Sequence, residues 1–255
     1  IKAVNNHFKI TDGYDVFIHS DAPPGSGLGG SSTGIVAVLG AVTEWLNVKL
    51  SDYELAELAF RLERQELNLK GGKQDQYAAV FGGFNLMEFG RTGTRVNKVR
   101  LKDDIVNELQ YCSLLCYTGR SRESGNIIDA QMSRYSKGSN IDALDASKKL
   151  AVEGRNALVR GDIRKFGEML NQAWEQKKMF TADVTNSLLD EYYKAAMDRG
   201  AIGGKVSGAG GGGFMYFVCE YDKKHVVAKK LKKMGATITD FMFEKAGVQM
   251  WRQKE

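Results

Sequence analysis

Three groups of residues in this chain have types and spacings that chemistry can use. The first is the run Pro23 to Thr33, Pro-Pro-Gly-Ser-Gly-Leu-Gly-Gly-Ser-Ser-Thr. Successive glycines leave backbone N–H groups free to converge on an anion, and a helix after the loop adds the positive end of its dipole. The plain alternative is a tight strand-to-helix turn that binds nothing, yet prolines, glycines and hydroxyls are denser here than a turn requires. The second group is Glu63, Glu66 and Asp75, the last lying between polar neighbours in Gly71-Gly72-Lys73-Gln74-Asp75-Gln76-Tyr77. An isolated Asp in a loop is most often a turn former. A carboxylate for a metal near a carboxylate for a nucleophile is, however, what phosphoryl transfer with magnesium requires. The third is Gly203 to Gly213, where a glycine-rich backbone can approach another backbone closely, a structural role as readily as a binding one.

The first loop discriminates among nucleotide-binding classes. Gly25, Gly27 and Gly30 satisfy G-x-G-x-x-G, by itself a weak dinucleotide signal. A dinucleotide-binding unit needs a second strand ending in an acidic residue about twenty positions on. Here that region, Trp45 to Glu54, reads as a loop entering a capped helix. A Walker A loop needs Lys before the hydroxyl, where Gly30 stands, and protein-kinase H-R-D and D-F-G elements are absent.

The elements that must position these groups follow from periodicity. Ile1 to Phe8 reads as the end of a helix, so the N-terminus looks cut, and Val16 to His19 reads as a short strand. Gly34 to Leu46 is apolar almost all round, as in a helix buried inside a fold. Ser51 and Glu54 form a capping box, and Leu55, Leu58, Ala59, Leu62 and Leu69 continue with helical spacing to Gly71-Gly72. Val80 to Phe89 reads as a strand, with a turn at Arg91 to Thr94. From Tyr111 to Tyr117 a strand opens a second domain, followed by helices at Ile127 to Met132, Leu144 to Val159, Ile163 to Phe180 and Leu188 to Arg199. Lys205 to Ser207, Phe214 to Val218 and Ile238 to Phe243 read as strands. The order suits a two-lobed α+β protein.

Composition bounds the rest. With 255 residues, 43% hydrophobic and 26% charged, the chain can bury a sizeable core. No apolar run is long enough to cross a bilayer, and nothing near the start resembles a signal peptide, so the expectation is a cytoplasmic protein. The net charge of +5 is spread along the chain, and its lysine clusters lack the aromatic interleaving of a nucleic-acid surface. Cys112, Cys116 and Cys219 have neither metal-ligand spacing nor histidine partners and read as buried thiols.

At this point the residues carry a resemblance. Pro-Pro-Gly-Ser-Gly-Leu-Gly-Gly-Ser-Ser-Thr resembles the second motif of the GHMP kinases, and Lys205 to Phe214 resembles their third. Within that superfamily the segments beginning at Gly71, Cys116 and Ala201 resemble the D-glycero-D-manno-heptose 7-phosphate kinases, over essentially the whole chain. The first GHMP motif has no counterpart before Ile1. The resemblance implies a ribosomal protein S5 domain 2-like N-terminal lobe, incomplete at its start, over residues 1–108, and a ferredoxin-like C-terminal lobe over 109–255.

It further implies that Pro24, Gly25, Ser26, Gly27, Leu28, Gly29, Gly30, Ser31 and Ser32 hold the phosphates of ATP. Ser31, or Ser32 one position along, would ligate Mg2+ with Glu63, Glu66 being the competing choice. Asp75 would accept the proton of the acceptor hydroxyl. Arg120 and Arg122, with Ser121 and Ser124, would receive the phosphate of a phosphosugar, since arginine's planar fork matches phosphate oxygens. A solvated basic turn is the plain reading of that segment. Lys73, Gly210 and Gly211 are further candidates for substrate contact, and Lys177-Lys178 weaker ones. The implied reaction phosphorylates the anomeric hydroxyl of a heptose 7-phosphate. An unphosphorylated sugar such as fucose or galactose, a non-catalytic binder, and a nicotinamide dehydrogenase stand as alternatives. The implied partner is a small phosphosugar, without nucleic acid or membrane and with a homodimer left open.

Overall fold

The computed structural model describes residues 1–119 and 124–253. The chain forms two compact units, one of Ile1–Pro24, Gly29–Asn85 and Glu244–Glu255, the other of Gly25–Leu28 and Leu86–Phe243. This division differs from a break after residue 108, because the second unit also takes in residues 86 to 108 and the first takes in the C-terminal segment.

The first unit is built from helices α1 (Lys2–Phe8), α2 (Gly30–Trp45), α3 (Asp52–Phe60) and α4 (Gln74–Phe81). The Ser51 hydroxyl and the Glu54 carboxylate cap each other's backbone at the start of α3, as the sequence predicts. Beyond Phe60 the helix does not run on to the double glycine. It widens into a π-helical turn, Arg61–Glu66, in which Leu67 N–H donates to Leu62 O at 3.1 Å. The extra residue in that turn buries Leu62 and Glu63 side by side and turns Glu66, Leu67 and Leu69 outward. α2 is not buried all round either. Val36, Leu39, Gly40, Val42 and Thr43 are buried, while Thr33, Ala37, Ala41 and Trp45, spaced by four, form an exposed stripe.

One expected strand is shortened and another is absent from the described residues. Val80 belongs to α4, whose Tyr77, Val80 and Phe81 recur at helical spacing on the buried face, so the strand starts only at Asn85. Val16 to His19 is irregular, with Phe17 96% exposed. An extended segment with no neighbouring strand has no ladder to join. The C-terminal segment packs back on α2 and α4. Gly83 N–H donates to Glu244 O, and Gly247 approaches Val80 so closely that a Cβ there would come within 1.7 Å of its carbonyl oxygen.

The long segment of the second unit begins within the hairpin of β1 (Asn85–Gly90) and β2 (Gly93–Lys98), which turns at Arg91-Thr92. Next comes α5 (Asp103–Cys112), which occupies the start of the strand expected from Tyr111. Its paired aspartates in the first turn are a helix-start signal that the apolar run of the following strand obscures. A four-stranded antiparallel sheet then forms from β3 (Ser113–Tyr117), β4 (Ala201–Val206), β5 (Phe214–Cys219) and β6 (Thr237–Thr239), in the spatial order β4-β5-β3-β6. Helices α6 (Ser124–Ser136), α7 (Ile141–Val159), α8 (Ile163–Lys178) and α9 (Ser187–Met197) lie between β3 and β4, and α10 (Lys224–Lys233) lies between β5 and β6. The order β-α-β-β-α-β is that of a ferredoxin-like lobe. The last strand starts one residue earlier and covers only Ile238 and Thr239 of the residues expected from Ile238 to Phe243, since its pairing with β3 ends at Leu115 opposite Thr239.

Cys112, Cys116 and Cys219 are free and buried in this unit. Desolvation raises all three thiols above their ordinary value, with Cys116 and Cys219 pushed up to about 12. The expected outcome is that a thiol-exchange reagent at pH 8 titrates none of the three in the native protein. In guanidinium it titrates all three, as followed by absorbance.

Candidate active site

The glycine loop is held by backbone against backbone. Within the second unit, Ser26 O accepts from Phe214 N–H at 3.0 Å, and Gly27 stands at φ 77° with Ser207 O only 2.8 Å from where a Cβ would be. Gly208 and Gly213, both at positive φ, meet Gly27 and Ser26 in the same way, with virtual Cβ distances of 2.9 and 2.3 Å. The third glycine run thus acts as a seat for the first. Gly210 and Gly211 are taken up by Val184. Its carbonyl accepts from Gly211 N–H at 2.8 Å and stands 2.6 Å from a Cβ at Gly210. Lys177 donates to Gly208 O, and Lys178 pairs with Glu175 at 2.7 Å.

In the first unit, Gly29 is the N-cap of α2, in the left-handed region at φ 73° and with no side chain to cap the helix. The first N–H groups of α2 therefore have no acceptor within the helix, and no acidic residue sits in its first turn. That combination leaves an anion-binding helix terminus.

Behind it lies a carboxylate cluster. Glu63, only 1% exposed, accepts from Ser31 Oγ at 2.7 Å on Oε1. Its Oε2 accepts from Ser32 Oγ at 2.7 Å and from Gln76 Nε2 at 2.6 Å. The two serines differ in access, because Ser31 is exposed and Ser32 is buried. Arg64 Nη2 donates to Ser32 Oγ at 3.3 Å and lies 3.7 Å from Glu63 Oε1, while Nη1 donates to Lys70 O. A Cβ on Gly71 would come 2.5 Å from the Arg64 guanidinium carbon, so this half of the double glycine makes room for an arginine.

Asp75 sits in the first turn of α4, not in a loop, and its carboxyl group packs against bare Gly29. A Cβ on that glycine would be 3.1 Å from both Asp75 Cβ and Cγ. The structure thus brings together Gly29, Ser31, Ser32, Glu63 and Asp75 within the first unit, and leaves exposed Glu66 out of the cluster. Lys73 is drawn elsewhere, bound to Glu57 at 2.9 Å and lying over the Phe60 ring at 4.5 Å. Partial burial acts to raise the Glu57 carboxyl, but hydrogen bonds from Lys73 and Tyr77 outweigh it and hold the group below its ordinary value. Arg120, Ser121 and Arg122 lie outside the described residues, as does the side chain of Ser124. Gln76 and Arg64 join the cluster without being candidates in the sequence. A glutamine ahead of Tyr77, Val80 and Phe81 on one helix is the signal that points to the first, and nothing in the spacing points to the second.

No cluster of three or more His, Cys, Asp or Glu side chains among the described residues can hold a metal. A hydroxyl and one carboxylate are nonetheless the donor set that suits a divalent ion completing its shell with phosphate oxygens and water. No described helix is long and apolar enough to cross a membrane.

A helix terminus suited to an anion beside a buried serine–carboxylate cluster is an arrangement that fits phosphoryl transfer, and comparison with known proteins makes the chain an ATP-dependent phosphotransferase. Residues 1–83 match the model of the GHMP kinases N terminal domain, and residues 155–237 match that of the GHMP kinases C terminal. Over 240 residues, 94% of this chain and 71% of the relative, it is 42% identical to the D-glycero-alpha-D-manno-heptose 7-phosphate kinase of Campylobacter jejuni. The chain belongs to the GHMP kinases. It is also 30% identical over 224 residues to the L-fucokinase/L-fucose-1-P guanylyltransferase of Bacteroides fragilis, covering 86% of this chain and 23% of that one. Among solved structures it superposes with a TM-score of 0.77 on a D-glycero-D-manno-heptose 1-phosphate kinase from Bacteroides thetaiotaomicron. That match is 34% identical and covers 100% of this chain and 74% of the other.

Gly29→Ala tests the approach of α4 to the loop. An alanine forced to positive φ costs roughly 1–2 kcal/mol, and its methyl group pushes on Asp75. The expected outcome is a lowered denaturation midpoint together with a loss of turnover of at least about tenfold, a larger loss than destabilisation alone produces at 25 °C.

Proposed function

We propose that this kinase transfers the γ-phosphoryl group of ATP to the anomeric hydroxyl of a heptose 7-phosphate, giving the 1,7-bisphosphate and ADP. The observation that carries this reading is the packing of Asp75 against Gly29, at the N-terminus of the helix whose Ser31 is bonded to Glu63. A carboxylate, a cation site and an anion-binding helix end thereby converge on one spot. The heptose assignment is supported by the 42% identity to the Campylobacter jejuni enzyme. The names of the two heptose relatives place the phosphate differently, so the position phosphorylated is the first quantity to measure.

In this mechanism the N–H groups from Gly27 to Ser32 cradle the nucleotide phosphates. Ser31 Oγ and Glu63 Oε1 are the pair that would hold Mg2+, because Ser31 is exposed whereas Ser32 is buried behind it. The cation, when bound, neutralises charge on the phosphates during transfer. Asp75 takes the proton of the acceptor hydroxyl as that oxygen bonds to the γ-phosphorus and the bond to ADP breaks. An anomeric hydroxyl is more acidic than an ordinary alcohol, so a carboxylate suffices as base. Arg120 and Arg122 receive the phosphate already on the sugar. Lys73 is the weaker choice for that task, since Glu57 already engages it.

The test is ADP release measured across heptose 7-phosphate, fucose, galactose and mevalonate, where the heptose phosphate is expected to give the highest kcat/KM. Asp75→Asn is expected to abolish turnover and to leave ADP affinity within about twofold, as measured by calorimetry. Full activity in that variant removes Asp75 from the mechanism. Arg120→Ala and Arg122→Ala are expected to raise KM for the phosphosugar at least about tenfold. An unchanged KM moves the phosphate receptor elsewhere.

A further inference from the structure

The kinase reading assigns no task to Gln76, yet this residue is wholly buried and makes the shortest hydrogen bond in the carboxylate cluster, 2.6 Å from Nε2 to Glu63 Oε2. Its amide orientation is dictated by that contact, since the reversed amide would set its oxygen against a carboxylate oxygen. The consequence is a buried Oε1 with no hydrogen-bond partner among the described residues. Packing alone favours an apolar side chain at such a position, which would leave no acceptor unmet. The donor is therefore what this glutamine contributes.

We propose that Gln76 is the positioning residue that fixes the Glu63 carboxylate for cation binding, and so sets the affinity of this site for a divalent ion. The inference rests on the reading of Ser31 and Glu63 as the cation ligands. Glu63 has two oxygens with separate duties. Oε2 is held from the interior by Gln76 and buried Ser32, whereas Oε1 meets exposed Ser31 and lies 3.7 Å from the Arg64 guanidinium. When a cation takes the Ser31 oxygen and Oε1, the bonds to Oε2 remain and keep the carboxylate plane from rotating. Ser32 alone is a single hydrogen bond to Oε2, and Gln76 supplies the second. Gln76 also follows Asp75 directly in the first turn of α4. Successive helical side chains point about 100° apart. The same turn can thus face Gly29 with one residue and Glu63 with the next, and the Gln76–Glu63 bond fixes the placement of both.

Gln76→Met keeps the length of the side chain, removes the donor and also removes the unmet acceptor, so the fold is expected to survive. The full chain is examined by paramagnetic resonance of Mn2+ in the presence of ADP, by ADP calorimetry with and without Mg2+, and by velocity against Mg2+ concentration. The expected result is a half-saturating cation concentration raised roughly tenfold or more, with cation-free ADP affinity and KM for the acceptor unchanged. Gln76→Asn, whose amide is withdrawn by one carbon, is expected to behave alike and serves if the methionine variant does not fold. A wild-type cation response in a folded variant overturns the proposal. So does an equal loss of ADP affinity with and without cation, which marks general damage. Glu63→Gln separates the two levels. If it too keeps the wild-type cation response, the reading of Glu63 as ligand fails. If it loses that response while Gln76→Met keeps it, only the role of Gln76 fails.

Discussion

A carboxylate removed from water must be given its hydrogen bonds by the protein, and around Glu63 that requirement organises the first unit. An unpaired buried charge costs several kcal/mol or more. Glu63 answers it with two serine hydroxyls from α2, an amide from α4 and the nearby guanidinium of Arg64. Three segments distant in sequence are thereby fixed to one another at a single side chain. The π-helical turn belongs to the same solution, because it turns Glu63 inward beside Leu62 without moving the apolar face of α3. Such single π turns inside helices are frequent at functional sites.

The glycine clusters answer a different constraint, that of distance between main chains. Gly27, Gly208 and Gly213 are placed where any Cβ would overlap a neighbouring carbonyl or α-carbon, and all three adopt positive φ. The loop is thus shaped by a second loop about 180 residues later in the chain, both within the second unit. Under the proposed role in phosphate binding its N–H groups must be aimed before the anion arrives, and such a seat holds the backbone without side chains that would fill the space.

Legibility from sequence followed the range of the interaction that decides each feature. The capping box at Ser51 and Glu54 is settled within four residues, and the helices α7, α8 and α9 by periodicity over several turns. The glycine loop and Asp75 were visible because unusual residue types announce themselves. What misled was local apolar content with a non-local cause. Val80 and Phe81 have strand-like composition but are captured by a helix facing a buried interior. Val16 to Ile18 have strand composition and no neighbouring strand. The pairing of Gln76 and Arg64 with the serine–carboxylate cluster depends on a π turn and on the space left by Gly71, and neither has a spacing rule that reads directly from the chain.

The first unit is assembled from pieces that are not contiguous. Its α2 and α4 are covered by residues after Phe243, with Gly83 bonded to Glu244 and Arg252 donating to the carbonyls of Glu44 and Trp45. During synthesis the ribosome releases those covering residues only after the whole sheet of the second unit has emerged. The unit that carries the carboxylate cluster is therefore closed by residues made after that sheet, and its packing awaits them. A polypeptide stalled before Glu244 would carry the whole serine–carboxylate cluster, yet would lack the strap that closes over α2 and α4.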